Sequence, residues 1–180
     1  MRVRAATPGD VPAILPMVRA ICALHESWDP ARYAMLPDVV ARYERWLPQR
    51  ARDPRSVLLV AEPIDGDDGD DGAELRDGAP ATAATLAGFL VGTVEDAIPI
   101  YATREFGFIH DVWVEPAARG RGLARALVRE AVGRFARMGV TQVRLETARA
   151  NDAARALFAS CGFRVSSVEM LAELPTPGAE

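Results

Sequence analysis

Arg119, Arg121 and Arg125 stand around two glycines, Gly120 and Gly122, where the strand-like run Phe106 to Val114 gives way to helical spacing. That combination suits an anion. Unpaired N–H groups of a first helical turn and the positive end of its dipole converge on such a junction, and guanidinium groups add planar, permanently charged donors. A diphosphate is the natural guest. Gly120 and Gly122 either serve a tight turn or clear Cβ atoms from a ligand's path. No GxxxxGK[ST] run marks a nucleoside-triphosphate loop, and no GxGxxG marks a dinucleotide loop. Three titratable residues flank this junction. His110, with an unperturbed pKa of about 6.5, accepts a proton near neutral pH. Asp111 follows it on the same strand, and alternation sends the two to opposite faces, so that one of them meets a substrate. Glu146 lies in the next strand pattern, five residues before Asn151. Each has a structural reading as well: His110 hydrogen-bonded within the sheet, Asp111 buttressing a loop, Glu146 paired with Arg144 or Arg149. Cys22 and Cys161 lack any metal-ligand spacing and read as buried, reduced thiols, with no metal expected.

The elements that must position these residues follow from periodicity. A helix from about Gly122 to Met138 buries Leu123, Leu127, Ala131 and Phe135, turns Arg129, Glu130, Arg134 and Arg137 to solvent, and stops at Gly139. Gln142 to Thr147 is the next strand. A strand, a helix and a strand in that order make a right-handed crossover between parallel strands. Upstream, Val3 to Ala5 is a short strand, Val11 to about His25 a helix, and Asp38 begins a second helix presenting Val39, Val40, Tyr43, Trp46 and Leu47. Between the two helices, Glu26 to Pro37 reads as an irregular aromatic loop. Ser56 to Glu62 and Thr85 to Glu95 read as antiparallel neighbours, so the sheet is mixed. Downstream come a helix from Asn151 to Ser160 and a strand from Val165 to Leu174.

The 180 residues, 49% hydrophobic and 26% charged, fit one folded domain, residues 1–175, with a frayed tail over 176–180. The formal charge of −4 conceals an uneven distribution: Glu62 to Asp77 holds eight acids and one base, leaving 20 basic against 17 acidic residues elsewhere. Residues 63–84 are expected to form a mobile acidic loop. All 21 basic residues are arginine. No apolar run reaches the roughly 20 residues that span a bilayer, so no membrane partner is expected and the cytoplasm is the default compartment. Nucleic acid is not expected either. The arginines are not interleaved with aromatic residues, and the acidic stretch opposes a polyanion.

Arg119, Gly122 and Ala124 resemble the (Arg or Gln)-x-x-Gly-x-(Gly or Ala) signature of the GCN5-related N-acetyltransferase (GNAT) superfamily. The strand ending Asp111-Val112-Trp113-Val114 is similar to the family strand that pairs with pantetheine. Asn151, Ala154, Leu157, Phe158, Gly162 and Phe163 resemble its second motif, and Val3 to Asp10 and Val168 to Leu174 its first and last elements. The resemblance implies a single-domain α/β (α+β) fold: a mixed, mostly antiparallel central sheet of six to seven strands, flanked by helices, whose parallel central strands splay apart. It implies acetyl-CoA as co-substrate, with the diphosphate on the amides of Gly120, Arg121, Gly122, Leu123, Ala124 and Arg125. Val112 and Val114, with Trp113 between them, offer backbone bonds to pantetheine. Asn151 reaches the same arm, with Ala154 and Leu157 alongside and Phe158 at the thioester. Glu146 matches the position of a catalytic glutamate in some protein N-terminal acetyltransferases. Many relatives carry tyrosine where this chain has Phe158, which removes the usual acid for the CoA thiolate. The implied activity is acetyl transfer to a primary amine of a small molecule or peptide by direct attack, in a homodimer. The alternative is a non-catalytic acyl-CoA-binding module.

Overall fold

The computed structural model describes residues 1–63 and 86–174. Five strands form one sheet in the order β1 (Arg2–Ala5), β2 (Ser56–Glu62), β3 (Gly88–Asp96), β4 (Glu105–Val114), β5 (Val143–Leu145). Neighbours are antiparallel except β4 and β5, which run parallel. The helix between them, α4 (Leu123–Arg137), supplies the crossover that a parallel pair requires. β2 shows how one strand serves two layers. Val57, Leu59 and Ala61 join the core under α4, whereas Leu58 and Val60 join the core under α1 (Val11–Trp28) and α3 (Val39–Arg52).

On the α4 side Leu127, Val128, Ala131 and Phe135 are fully buried. Burying each large side chain of this set contributes about 1.5–3 kcal/mol. Phe135 fills a niche left by two absent side chains. A Cβ on Gly107 of β4 would lie 2.6 Å from its ring, and one on Gly92 of β3 would lie 3.0 Å away.

Two stretches depart from the sequence expectation. Among the described residues the sheet has five strands rather than six to seven, because Val165 to Leu174 forms none. Val165, Val168, Leu171 and Leu174 recur every third residue, so no face of a strand gathers them. Val165, Val168 and Met170 are 78%, 80% and 92% exposed. The expected irregular loop over Glu26 to Pro37 is largely helical: α1 continues to Trp28, and α2 (Pro30–Tyr33) follows. Aromatic packing orders it, with the His25 ring stacked on Tyr33 at 5.0 Å and edge-on to Trp28 at 5.4 Å. The Met35 N–H also donates to Glu26 Oε1 at 2.7 Å. From residue 64 to its end, the expected acidic loop lies outside the described residues, as does the tail from 175. No helix among the described residues is long and apolar enough to cross a membrane.

Candidate active site

Pairing between β4 and β5 covers only Gly107–Ile109 against Val143–Leu145, and β4 then runs on to Val114 without a neighbour on that side among the described residues. The carbonyl of Trp113 is directed at β3, where it lies 2.5 Å from the position of a Cβ on Gly88. Backbone alternation therefore turns the N–H and C=O groups of Val112 and Val114 to the open edge. From His110 to Val114 that edge is about 13 Å long at roughly 3.3 Å per residue. Trp113 itself has no part in it. Its ring packs on the α1/α3 side, under the guanidinium of Arg119 at 4.8 Å. Arg119 Nε donates to the Val114 carbonyl at 2.9 Å, so this arginine ties down the end of β4 instead of charging the loop rim.

The loop after β4 turns through Gly120 and Gly122 at φ +76° and +77°. An added Cβ at either would meet no atom of the described residues within 4 Å, and the left-handed backbone favours glycine there. Gly122 is the N-cap of α4 and supplies no side-chain acceptor, so that among the described residues the first-turn amides have no side-chain partner. Leu123 is buried and Ala124 half-buried, anchoring the helix, while Arg121 and Arg125 are exposed beside the amides. Free amides, a helix dipole, two arginines and open space fit a diphosphate.

The second motif is occupied by structural work. Asn151 caps α5 (Asp152–Ser160), its Oδ1 accepting the Ala154 N–H at 3.0 Å. Phe158 is buried in the α4-side core, edge-on to Phe163 at 5.7 Å, with Ala154 and Leu157 packed against the same core.

The largest departure concerns His110 and Asp111. Between Val91 and Gly92 the β3–β4 register shifts, with Val91 opposite Asp111 and Gly92 opposite Ile109, so His110 has no partner. This β-bulge cancels the alternation and turns both side chains toward α3. The Tyr43 hydroxyl donates to Asp111 Oδ2 at 2.8 Å, and the His110 ring meets Trp46 edge-on at 5.4 Å. Asp111 is 6% exposed, and burial pushes its carboxyl up to about 6 against the opposing effect of the Tyr43 bond. Burial likewise raises Tyr43 above the ordinary phenol range. Asp111 is thus sealed beneath α3, whereas His110 retains 28% side-chain exposure.

His110 Nε2 lies 2.7 Å from Thr93 Oγ1, which in turn donates to Glu95 Oε1 at 2.5 Å. Burial lowers the imidazole pKa, with Glu95 acting the other way and Arg50 adding to the decrease. Neither Thr93 nor Glu95 is assigned a part in proton transfer from the sequence alone. The available signal was their spacing of two on one strand, which puts both on one face. Glu146 lies just beyond β5, 67% exposed and 3.6 Å from Arg32 of α2 instead of pairing with Arg144 or Arg149. Arg32 Nε also meets Glu169 at 2.8 Å. No His, Cys, Asp and Glu group suited to a metal ion occurs among the described residues.

Comparison with known proteins finds a sequence relative and several similar folds. The N-alpha-acetyltransferase RimI of Mycobacterium tuberculosis is 50% identical over 56 residues, which is 31% of this chain and about a third (34%) of that protein. A mutant of the BH1408 protein from Bacillus halodurans has a similar fold, with a TM-score of 0.74 at 17% identity, covering 97% of this chain and 100% of that one. A protein from Clostridium acetobutylicum described as a predicted acetyltransferase, determined with acetyl-CoA, gives 0.67 at 17% identity over 96% and 95% of the two chains. The profile of the Acetyltransferase (GNAT) family matches residues 22–163, most of the molecule, and the chain belongs to that family.

Proposed function

We propose that this protein transfers an acetyl group from acetyl-CoA to a primary amine of a small molecule or peptide by direct attack in a ternary complex. The observation that carries the proposal is the open edge of β4 leading directly into the left-handed loop at the start of α4. Acetyl-CoA supplies the activated thioester. The amides from Gly120 to Arg125 and the exposed Arg121 and Arg125 hold its diphosphate, and Val112 and Val114 hold the arm as a further strand would be held. This brings the arm's far end to the place where β5 closes on β4, beside His110. Positioning of two bound reactants alone supplies roughly 7–11 kcal/mol in favourable cases.

His110 is the proton acceptor in this reading, because Asp111 is sealed and Glu146 lies out in solvent at 67% exposure beyond the end of β5. The CoA thiolate takes its proton from water, since Phe158 has none to give. The stretch similar to an N-alpha-acetyltransferase supports a peptide amino terminus among the acceptors. The test is thiol release from acetyl-CoA across a panel of small amines, aminoglycosides and peptides. Release that depends on an amine and falls in Gly122→Val supports the reading. Acetyl-CoA binding without release for any amine replaces it with an acyl-CoA-binding module.

A further inference from the structure

We infer that Glu95, acting through the Thr93 hydroxyl, fixes the tautomer of His110, so that Nε2 carries the proton and Nδ1 is the bare nitrogen that accepts one from the substrate amine. The inference rests on proton counting. A threonine hydroxyl has one proton, and an ionised carboxylate only accepts. Thr93 Oγ1 lies 2.5 Å from Glu95 Oε1, so its proton goes there. The same oxygen lies 2.7 Å from His110 Nε2 and can only accept from it, which places the imidazole proton on Nε2. A neutral imidazole then has its lone pair on Nδ1, for which no protein hydrogen-bond partner occurs among the described residues.

The arrangement is held by backbone geometry. Thr93 and Glu95 share a face of β3 because they are two residues apart. The bulge brings His110 onto that same face, where Trp46 and Phe108 meet its ring edge-on at 5.4 Å and 5.1 Å. The charged groups around it are Glu95 from β3 and Arg50 from α3, with Asp111 next to it on β4 bonded to Tyr43 of α3.

In the proposed transfer, on which this inference depends, the amine nitrogen bonds to the thioester carbon and the C–S bond breaks. The proton lost by nitrogen passes to Nδ1, and CoA leaves as a thiolate protonated by water. The imidazolium formed faces Glu95 across Thr93, 3.7 Å from Nε2 to Oε1, so the positive charge develops opposite a fixed negative one. Thr93 and Glu95 are positioning residues.

The experiment separates this arrangement from the activity. The chain has two histidines, so nitrogen-15 NMR of labelled imidazoles resolves His110, with His110→Gln assigning its signals. The parent should show a protonated Nε2, an unprotonated Nδ1 and a slowly exchanging Nε2 proton near neutral pH. Thr93→Val should lose that slow proton, and Glu95→Gln should lower the His110 titration midpoint. Thr93→Ser should restore the parental spectrum. A proton on Nδ1 in the parent, or an unchanged spectrum and midpoint in both variants, overturns the inference whether or not any amine is acetylated. With the fastest amine of the release screen, Thr93→Val and Glu95→Gln should lower kcat about tenfold, with the KM for acetyl-CoA within about twofold. Glu95→Gln should also move the acidic limb of the pH profile to lower pH. If kcat and the profile stay parental while the spectrum changes, Nδ1 is not the acceptor and the catalytic half of the inference fails.

Discussion

Replacing Asp111 by asparagine should stabilise the protein at neutral pH and change almost nothing at pH 3. The carboxyl is buried with the Tyr43 hydroxyl as its hydrogen-bonded partner, and its pKa rises from 3.8 to about 6. Between those values the folded protein keeps a proton that the unfolded chain has released, so this residue's contribution to stability falls as pH rises through the window. About two pKa units at 1.36 kcal/mol each give a cost of ~3 kcal/mol at pH 7 relative to pH 3, below both values. An asparagine oxygen still accepts from Tyr43 and carries no charge. Urea unfolding of parent and variant at a series of pH values measures the difference, read as a shift in midpoint at constant slope. Comparing the two proteins cancels opposing groups such as Asp10, whose carboxyl the Arg4 guanidinium holds down at about 2. The variant should gain ~3 kcal/mol at pH 7, and the gain should vanish near pH 3. A variant whose stability relative to the parent is no greater at pH 7 than at pH 3 would refute the reasoning, because Asp111 would then titrate no higher in the folded protein than in the unfolded chain.

Phe135→Ala removes a fully buried ring from the niche over Gly92 and Gly107 and should cost about 3–5 kcal/mol, measured by denaturant unfolding. Gly122→Val puts a β-branched residue at φ +77° and should weaken acetyl-CoA binding at least tenfold by calorimetry, with the melting temperature of the free protein lowered by only a few degrees.

The donor side of the site was legible because it is written in local sequence. An arginine-glycine loop between a strand and a helix fixes its own backbone, and α4 shows its buried face every third or fourth residue. The extent of β5 was not legible: Gln142 to Thr147 has strand composition, but the length that pairs depends on where β4 turns away. His110 and Asp111 were assigned to opposite faces because alternation holds for any regular strand. The bulge is a property of the β3–β4 pair and leaves no mark in β4 alone. Val165 to Leu174 looked like a strand by composition, whereas its apolar spacing of three, visible in the sequence, argued otherwise.

The niche beneath Phe135 has a mechanical consequence at the other end of its helix. Leu123 and Phe135 are twelve residues apart, about 18 Å along a rigid rod. With the ring seated where two β-carbons are missing, α4 can neither slide along the sheet nor roll on it without leaving the notch. A pivot of 5° about that point would swing the glycine loop by about 1.6 Å over this lever arm, enough to detach an anion from amides that bond it at about 3 Å. The aim of the loop therefore depends on a peg and socket at the far end of the helix as well as on Leu123 at its own end, and substitutions at Gly92 or Gly107 should disturb it without touching it.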